Sequence, residues 1–244
     1  MDWSDDAIVL NARAHGESAA ILEVLTREHG RHLGLVRGGA SRRFRAVLQP
    51  GNSLKVEWRA RLSEHLGGFT VETTSARAGA VMESHDALIG LNAMTATVGL
   101  VLPERAQCPA VFEASVILLD ALAEDGLSHW GPLYVRWELG LLEALGFGLD
   151  LSKCAATGSR EDLRYVSPRT GRAVSGAAGA AYADRLLLLP AFLLGAQNPV
   201  LPSDIALGLK LTGHFLSERA LRPNRKELPP PRIRLDSLAA RESQ

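Results

Sequence analysis

Along the first 75 residues, apolar and polar positions alternate in short runs separated by glycine turns. The clearest run is 54–59. Leu54, Val56 and Trp58 fall on one face and Lys55, Glu57 and Arg59 on the other, the period of a half-buried strand. Similar runs cover 8–15, 20–26, 32–37 and 69–73, punctuated by Gly16-Glu17-Ser18, His29-Gly30, Gly38-Gly39-Ala40-Ser41 and Gly67-Gly68. Five short strands so spaced predict a small barrel. An OB-fold and an SH3-like barrel both fit that count, and periodicity does not separate them.

From residue 80 the period becomes helical. Leu88, Leu91, Val98, Val101 and Leu102 form one stripe that stops at Pro103. A second helix runs from Pro109 to Gly126, and a third has Pro132 in its first turn and Gly146 as its C-cap. Residues 149–180 read as an irregular loop, 181–194 as a fourth helix, and Pro202-Ser203-Asp204 as the start of the last, with Ser203 as N-cap, ending near Ala220. The tail from Arg222, with Pro223 and Pro229-Pro230-Pro231, reads as extended or disordered. The expected organisation is a barrel domain over 1–78, a helical domain over 79–221 and a basic, proline-rich tail over 222–244.

Composition narrows the class. The chain has 244 residues, 46% hydrophobic and 22% charged, which suits a globular protein and excludes wholesale disorder. Two cysteines, Cys108 and Cys154, exclude a disulfide scaffold and a four-cysteine zinc site. The apolar run 186–194 is nine residues long and contains Pro190, whereas a membrane span needs about 20. The acidic first residues match neither a signal nor a transit peptide. These features predict a soluble protein of a reducing compartment.

Net charge is zero, but it is unevenly spread. Residues 27–61 carry a net +7 and 219–234 a net +5, while 62–218 carry −7. Two basic segments flanking an acidic body point to a polyanion partner, against the simpler reading of solvated arginine-rich faces. Arg37, Arg42, Arg43 and Arg45 lie on or beside one loop, where Gly38 and Gly39 would let the backbone approach a phosphate. Lys55, Arg59 and Arg61 follow on or just beyond the polar face of the next strand. Phe44 lies among the arginines as a candidate base-stacking residue, with packing as the alternative. Trp58 belongs to the core by its alternation. The pair His29 and His32 reads as a turn or surface feature. The acidic pairs Asp5-Asp6, Glu124-Asp125 and Glu161-Asp162 read as solvated or helix-end groups. The chain contains no phosphate-binding loop and no nucleophile elbow, and no catalytic constellation is visible, so no enzyme is expected.

The order of these pieces resembles the bacterial recombination mediators of the RecO family. Ile8-Val9-Leu10 with Glu17 to Leu22 is similar to that family's first hairpin, and Leu25-Thr26-Arg27-Glu28-His29-Gly30 to its threonine-to-glycine turn. Val36-Arg37-Gly38-Gly39 followed by Leu48-Gln49-Pro50-Gly51 is similar to the next loop and its exit, and 185–190 and Phe215-Leu216-Ser217-Glu218-Arg219 resemble late segments. The resemblance implies an OB-fold barrel followed by an all-helical domain. It further implies binding of single- and double-stranded DNA, strand annealing, and loading of the recombinase RecA together with RecR on DNA coated by single-stranded-DNA-binding protein. The partners expected on that ground are RecR and the acidic C-terminal tail of that binding protein, with Lys210 and Arg219 as candidate contacts, in a cytoplasmic, nucleoid-associated setting. Some members bind zinc through paired cysteines in the irregular loop. Here Cys154 is kept and Thr157 stands where the second would be, so no metal and no cofactor are expected, and Cys154 reads as a small packing residue. The alternative is an RNA-binding or translation-associated protein on the same barrel.

Overall fold

A computed structural model describes residues 1–124, 126–196 and 198–243; Asp125 of the acidic pair above lies outside them. By packing, the chain forms two units, Met1–Glu124 and Asp125–Gln244. The first holds β1 (Asp2–His15), β2 (Ala19–Thr26), β3 (Gly30–Val36), α1 (Arg42–Val47), β4 (Ser53–Arg59), β5 (Gly68–Ser75), α2 (Ala78–Met82), α3 (His85–Val101) and α4 (Pro109–Glu124). The expected division near residue 78 lies within this packing unit, where α3 packs on β1, α4 on β2, and α2 on α3 and α4.

The five strands close in the order β1-β2-β3-β5-β4. Closure is made by a short parallel contact, Leu35 against Gly68, with the Leu35 N–H donating to the Gly67 carbonyl at 3.0 Å. This is the five-stranded Greek-key barrel of the OB type, which leaves no long free edge. The inward faces of the strands supply Val9, Leu22, Val24, Leu54, Val56, Trp58 and Phe69, all buried. The alternation over 54–59 thus has the expected sense, with Trp58 inside and its indole N–H on the Leu66 carbonyl at 3.0 Å.

The first strand starts six residues before its apolar run. Asp5 is buried, and its carboxylate accepts from the N–H groups of Asp6 and Glu28, both at 2.8 Å, and pairs with His29 Nδ1 at 2.9 Å. The acidic pair at 5–6 is therefore a strand and turn clamp rather than a solvated end. His29 stacks on Trp3 with ring centroids 4.0 Å apart. His32 is not a surface residue either: it is 3% exposed, inside the barrel among Trp3, Trp58 and Phe69. In the turn between β2 and β3, the Thr26 hydroxyl accepts from His29 N–H at 3.0 Å and donates to the Gly30 carbonyl at 2.9 Å. Gly30 has φ +67°, and a Cβ there would run into the Ala106 carbonyl, which explains a glycine at this place.

The second unit holds α5 (Leu127–Ala144), β6 (Leu163–Val166), β7 (Ala173–Ser175), α6 (Gly176–Gly179), β8 (Leu187–Leu188), α7 (Pro202–Phe215) and α8 (Pro230–Glu242). It is built on helices, as expected, and β7, β6 and β8 add a small sheet, β6 and β7 within the stretch read as irregular. The helix expected over 181–194 is instead two short 3-10 turns flanking β8. Pro132 lies inside α5 rather than in its first turn. At the start of α7 the N-cap is Leu201, not Ser203, and the Asp204 carboxylate accepts from Leu201 N–H at 3.1 Å. A π-type turn, Leu216–Leu221, continues α7.

The tail is the largest departure from expectation. Pro230 and Pro231 occupy the first positions of α8, where a missing N–H breaks no intrahelical bond. Arg232 follows, 0% exposed. Its guanidinium donates to both carboxylate oxygens of Glu138, at 2.6 and 2.9 Å, to Asp236 at 2.5 Å and to the Leu209 carbonyl at 2.9 Å. Thr212 donates to the same Glu138 carboxylate. Burial opposes the charge on Arg232, but Glu138 and Asp236 more than offset this and raise its pKa. Removing one partner of such a pair strands the other charge in the interior.

Candidate nucleic-acid interface

The loop after β3 is a helix. Residues 42–47 form α1, one and a half turns long, and helical spacing places Arg42, Arg43 and Arg45 around its outward side. Phe44 points the other way and packs, half-buried, on the barrel core with Val47. The buried Asn52 side chain adds to the contacts that hold α1 in place. Asn52 donates through Nδ2 to the carbonyls of Ala46 and Val47, at 2.9 and 3.1 Å, and accepts from Ala78 N–H at 3.0 Å. It thereby satisfies carbonyls that the end of a helix leaves open. Gly39 is buried against Ala20, so it serves the packing of the loop and does not lie open to a phosphate.

Arg37, Arg42, Arg43 and Arg45 are all exposed, and among the described residues none has an ion-pair partner. Their neighbours in the basic segment differ. Arg27 pairs with Glu113 at 2.6 Å, and Arg31 pairs with Glu23 at 2.5 Å while donating to the Leu102 carbonyl at 2.8 Å. The net charge of the segment thus concentrates on α1 and the residue that precedes its loop.

A groove of about 510 Å³ runs between the end of β3, α1 and the β4–β5 hairpin. Arg37, Phe44 and Arg59 line it, together with Phe69, Thr70 and Val71. Three expected residues far apart in sequence therefore meet on one surface. Arg59 is exposed and only loosely paired, with Glu57 at 3.8 Å. Lys55 is not part of the groove. It lies across from Asp6 and Glu72 in the barrel register and pairs with Asp6 at 3.3 Å. Arg61 is exposed beyond the end of β4 and does not line the groove either.

A second groove, of about 400 Å³, lies on the other side of the same segment. Its lining includes Asn11, Arg13, Glu17, Arg45, Gln49 and Pro50. Asn11 and Arg13 were not singled out in the sequence, and no local signal marks them: barrel closure alone brings the end of β1 to α1. A register shift between Val9 and Asn11 interrupts the β1–β2 pairing just before them.

In the second unit, a cavity of about 790 Å³ between α7, the π-type turn and α8 is lined by Leu207, Leu209, Lys210, His214, Arg222 and Leu228, with Glu218 and Asp236 also present. Lys210 lines this cavity. Arg219 does not: its guanidinium lies 4.6 Å from the Phe215 ring centroid and donates to the carbonyls of Phe147 and Arg169. Cys154 is buried and accepts from Ser175 N–H at 3.3 Å; interactions with Ser175 and Thr157 bring its thiol down to about 6. Among the described residues no three His, Cys, Asp or Glu side chains gather as metal ligands. No described helix is long and apolar enough to cross a membrane.

Fold and surface together define a two-unit protein built on an OB-fold barrel with a concentrated arginine face. The models for the recombination protein O N-terminal and C-terminal families match residues 1–77 and 82–229. The chain is 51% identical over 243 residues to the DNA repair protein RecO of Cereibacter sphaeroides strain ATCC 17023, covering 99% of this chain and all of that one. It is 50% identical over 238 residues to the DNA repair protein RecO of Rhodospirillum rubrum, covering 96% and 94%. It is 51% identical over 244 residues to that of a Ruegeria species, covering 99% and 100%. The chain belongs to the RecO family, which places it in DNA repair and recombination.

Proposed function

We infer that the protein is a non-enzymatic recombination mediator. It binds single- and double-stranded DNA through α1 and the adjoining groove, and it anneals complementary strands. One observation carries this reading. Arg37, Phe44 and Arg59 line one groove, and Arg42, Arg43 and Arg45 stand exposed on the adjoining α1 with no carboxylate partner among the described residues. Guanidinium groups without internal partners bind phosphates by forked donors, with little regard to sequence. Phe44 supplies an apolar wall against which a base can rest. Pairing two strands requires their phosphates to be screened, and free cations on one ridge do this without covalent chemistry.

Family membership and the lining of the second unit's cavity support a choice of partners. With RecR, the protein would help to load RecA on DNA coated by single-stranded-DNA-binding protein. The acidic tail of that protein suits the cavity beside α7, where Lys210, His214 and Arg222 border Leu207, Leu209 and Leu228.

The test is annealing of complementary oligonucleotides, bare and coated, across a salt series, with competition by RNA of equal length. Faster pairing of coated strands that fades with salt is expected, as is preference for DNA over RNA. No acceleration and no DNA binding at low salt, or equal capture of RNA, would contradict the reading.

A further inference from the structure

We propose that the groove formed by Asn11, Arg13, Arg45 and Gln49 is a second strand-binding site, so that one chain holds two DNA strands, one on each side of α1. This inference rests on the DNA-binding reading given above. Three observations carry it. The two grooves share one wall: Phe44 and Arg37 line the first, while Arg45 and Gln49, from the same segment, line the second. The second groove offers a bare cation at each side, since Arg13 and Arg45 are exposed and, among the described residues, neither has an ion-pair partner. Asn11 adds a neutral amide suited to phosphate or sugar oxygens, Gln49 Nε2 donates to the Arg45 carbonyl at 3.0 Å and ties the lining to α1, and Glu17, the one acid in the lining, is exposed.

The spacing suits the purpose. A helix with its side chains is about 10–12 Å across, close to the roughly 12 Å width of the major groove of a duplex. Strands lying along the two sides of α1 would therefore be held near the separation that their backbones keep across that groove. Arg42 and Arg43 face outward from the ridge between the grooves. Both backbones would lie within about a Debye length of those guanidinium groups, roughly 10 Å at 0.1 M salt, so the same cations screen both. A barrel with one groove could bind a strand, but it would have to meet a second strand from solution against full repulsion.

The experiment counts strands. Short non-complementary oligonucleotides, which cannot pair, are titrated onto the full-length protein at low salt and the mass of the complex is read by sedimentation or native mass spectrometry. The expected result is two strands per chain at saturation, falling to one in Arg13→Glu combined with Asn11→Ala. That variant should keep the affinity for the first strand within about twofold and lose annealing by about tenfold or more. Both positions are solvent-accessible, and an unchanged thermal melt confirms the fold. Saturation of the parent protein at one strand would overturn the proposal. So would a variant in which first-strand affinity and annealing fall by the same factor, since that describes one continuous site. If the parent binds no strand at all, the DNA-binding reading fails and this inference with it.

Discussion

The two basic segments look alike in sequence and are used in opposite ways. In the first, four arginines at 37, 42, 43 and 45 reach solvent without a carboxylate partner among the described residues. In the second, Arg232 is wholly buried on Glu138, Arg222 pairs with Glu218 at 2.6 Å and Arg219 lies over Phe215, which leaves Arg225 and Arg234 as its exposed arginines without an ion pair among the described residues. A count of charges along the chain treats both as binding surface. What separates them is where distant acids land: Glu138 is 94 positions from Arg232 and no pattern near either residue announces the pair. Charge that is matched inside the fold serves stability, and charge left unmatched is available to a ligand.

The sharpest way to break this contrast is to remove the buried pair. Arg232→Ala should cost about 3–5 kcal/mol of stability in the second unit, because it leaves the Glu138 carboxylate buried without its counter-ion. Chemical denaturation reads this directly. A loss below 1 kcal/mol would mean that the tail helix is not held as described.

A second effect belongs to the barrel. Burial, helped by Arg105 and His29, lowers His32 to about 4, and neither ring nitrogen has a hydrogen-bond partner among the described residues. The folded state therefore binds this proton less readily than the unfolded chain, whose histidine sits near 6.5. Stability from this group is full above about pH 6.5 and is lost as pH falls towards 4, by on the order of 2–3 kcal/mol. Denaturation at several pH values should show that slope, and His32→Phe should flatten it. An unchanged slope in the variant would remove His32 from the account.

Asn52→Ala should free the end of α1 and cost about 1–3 kcal/mol, with a loss of DNA affinity although the residue itself is buried. Retained affinity at normal salt would show that α1 needs no such clamp. The smallest effect is expected at Arg222. Its exposed pair with Glu218 is a surface contact four residues apart, and Arg222→Ala should shift stability by less than about 0.5 kcal/mol.

The same contrast explains what was legible in the sequence. The strand over 54–59, the interior place of Trp58 and the arginine cluster were readable, because strand periodicity and the crowding of α1 are local properties. The start of β1 was hidden, since Asp5 is a buried carboxylate satisfied by a turn more than twenty residues on. The tail helix was hidden for a similar reason: its prolines sit where a helix tolerates them and its core residue is an arginine. In the candidate site, Arg59 and Arg13 reach the two sides of α1 only through closure of the barrel, while Lys55, on the same strand as Arg59, is taken up by Asp6.

The central claim is that unmatched charge, not charge as such, makes the DNA surface. The direct test compares the salt dependence of single-strand binding for two variants, one with Arg42, Arg43 and Arg45 changed to Ala and one with the engaged tail residues Arg219 and Arg222 changed to Ala. The account predicts that the first lowers the slope of log affinity against log salt by about 2, while the second leaves it nearly unchanged. Equal losses in the two variants, or a larger loss in the tail, would contradict it.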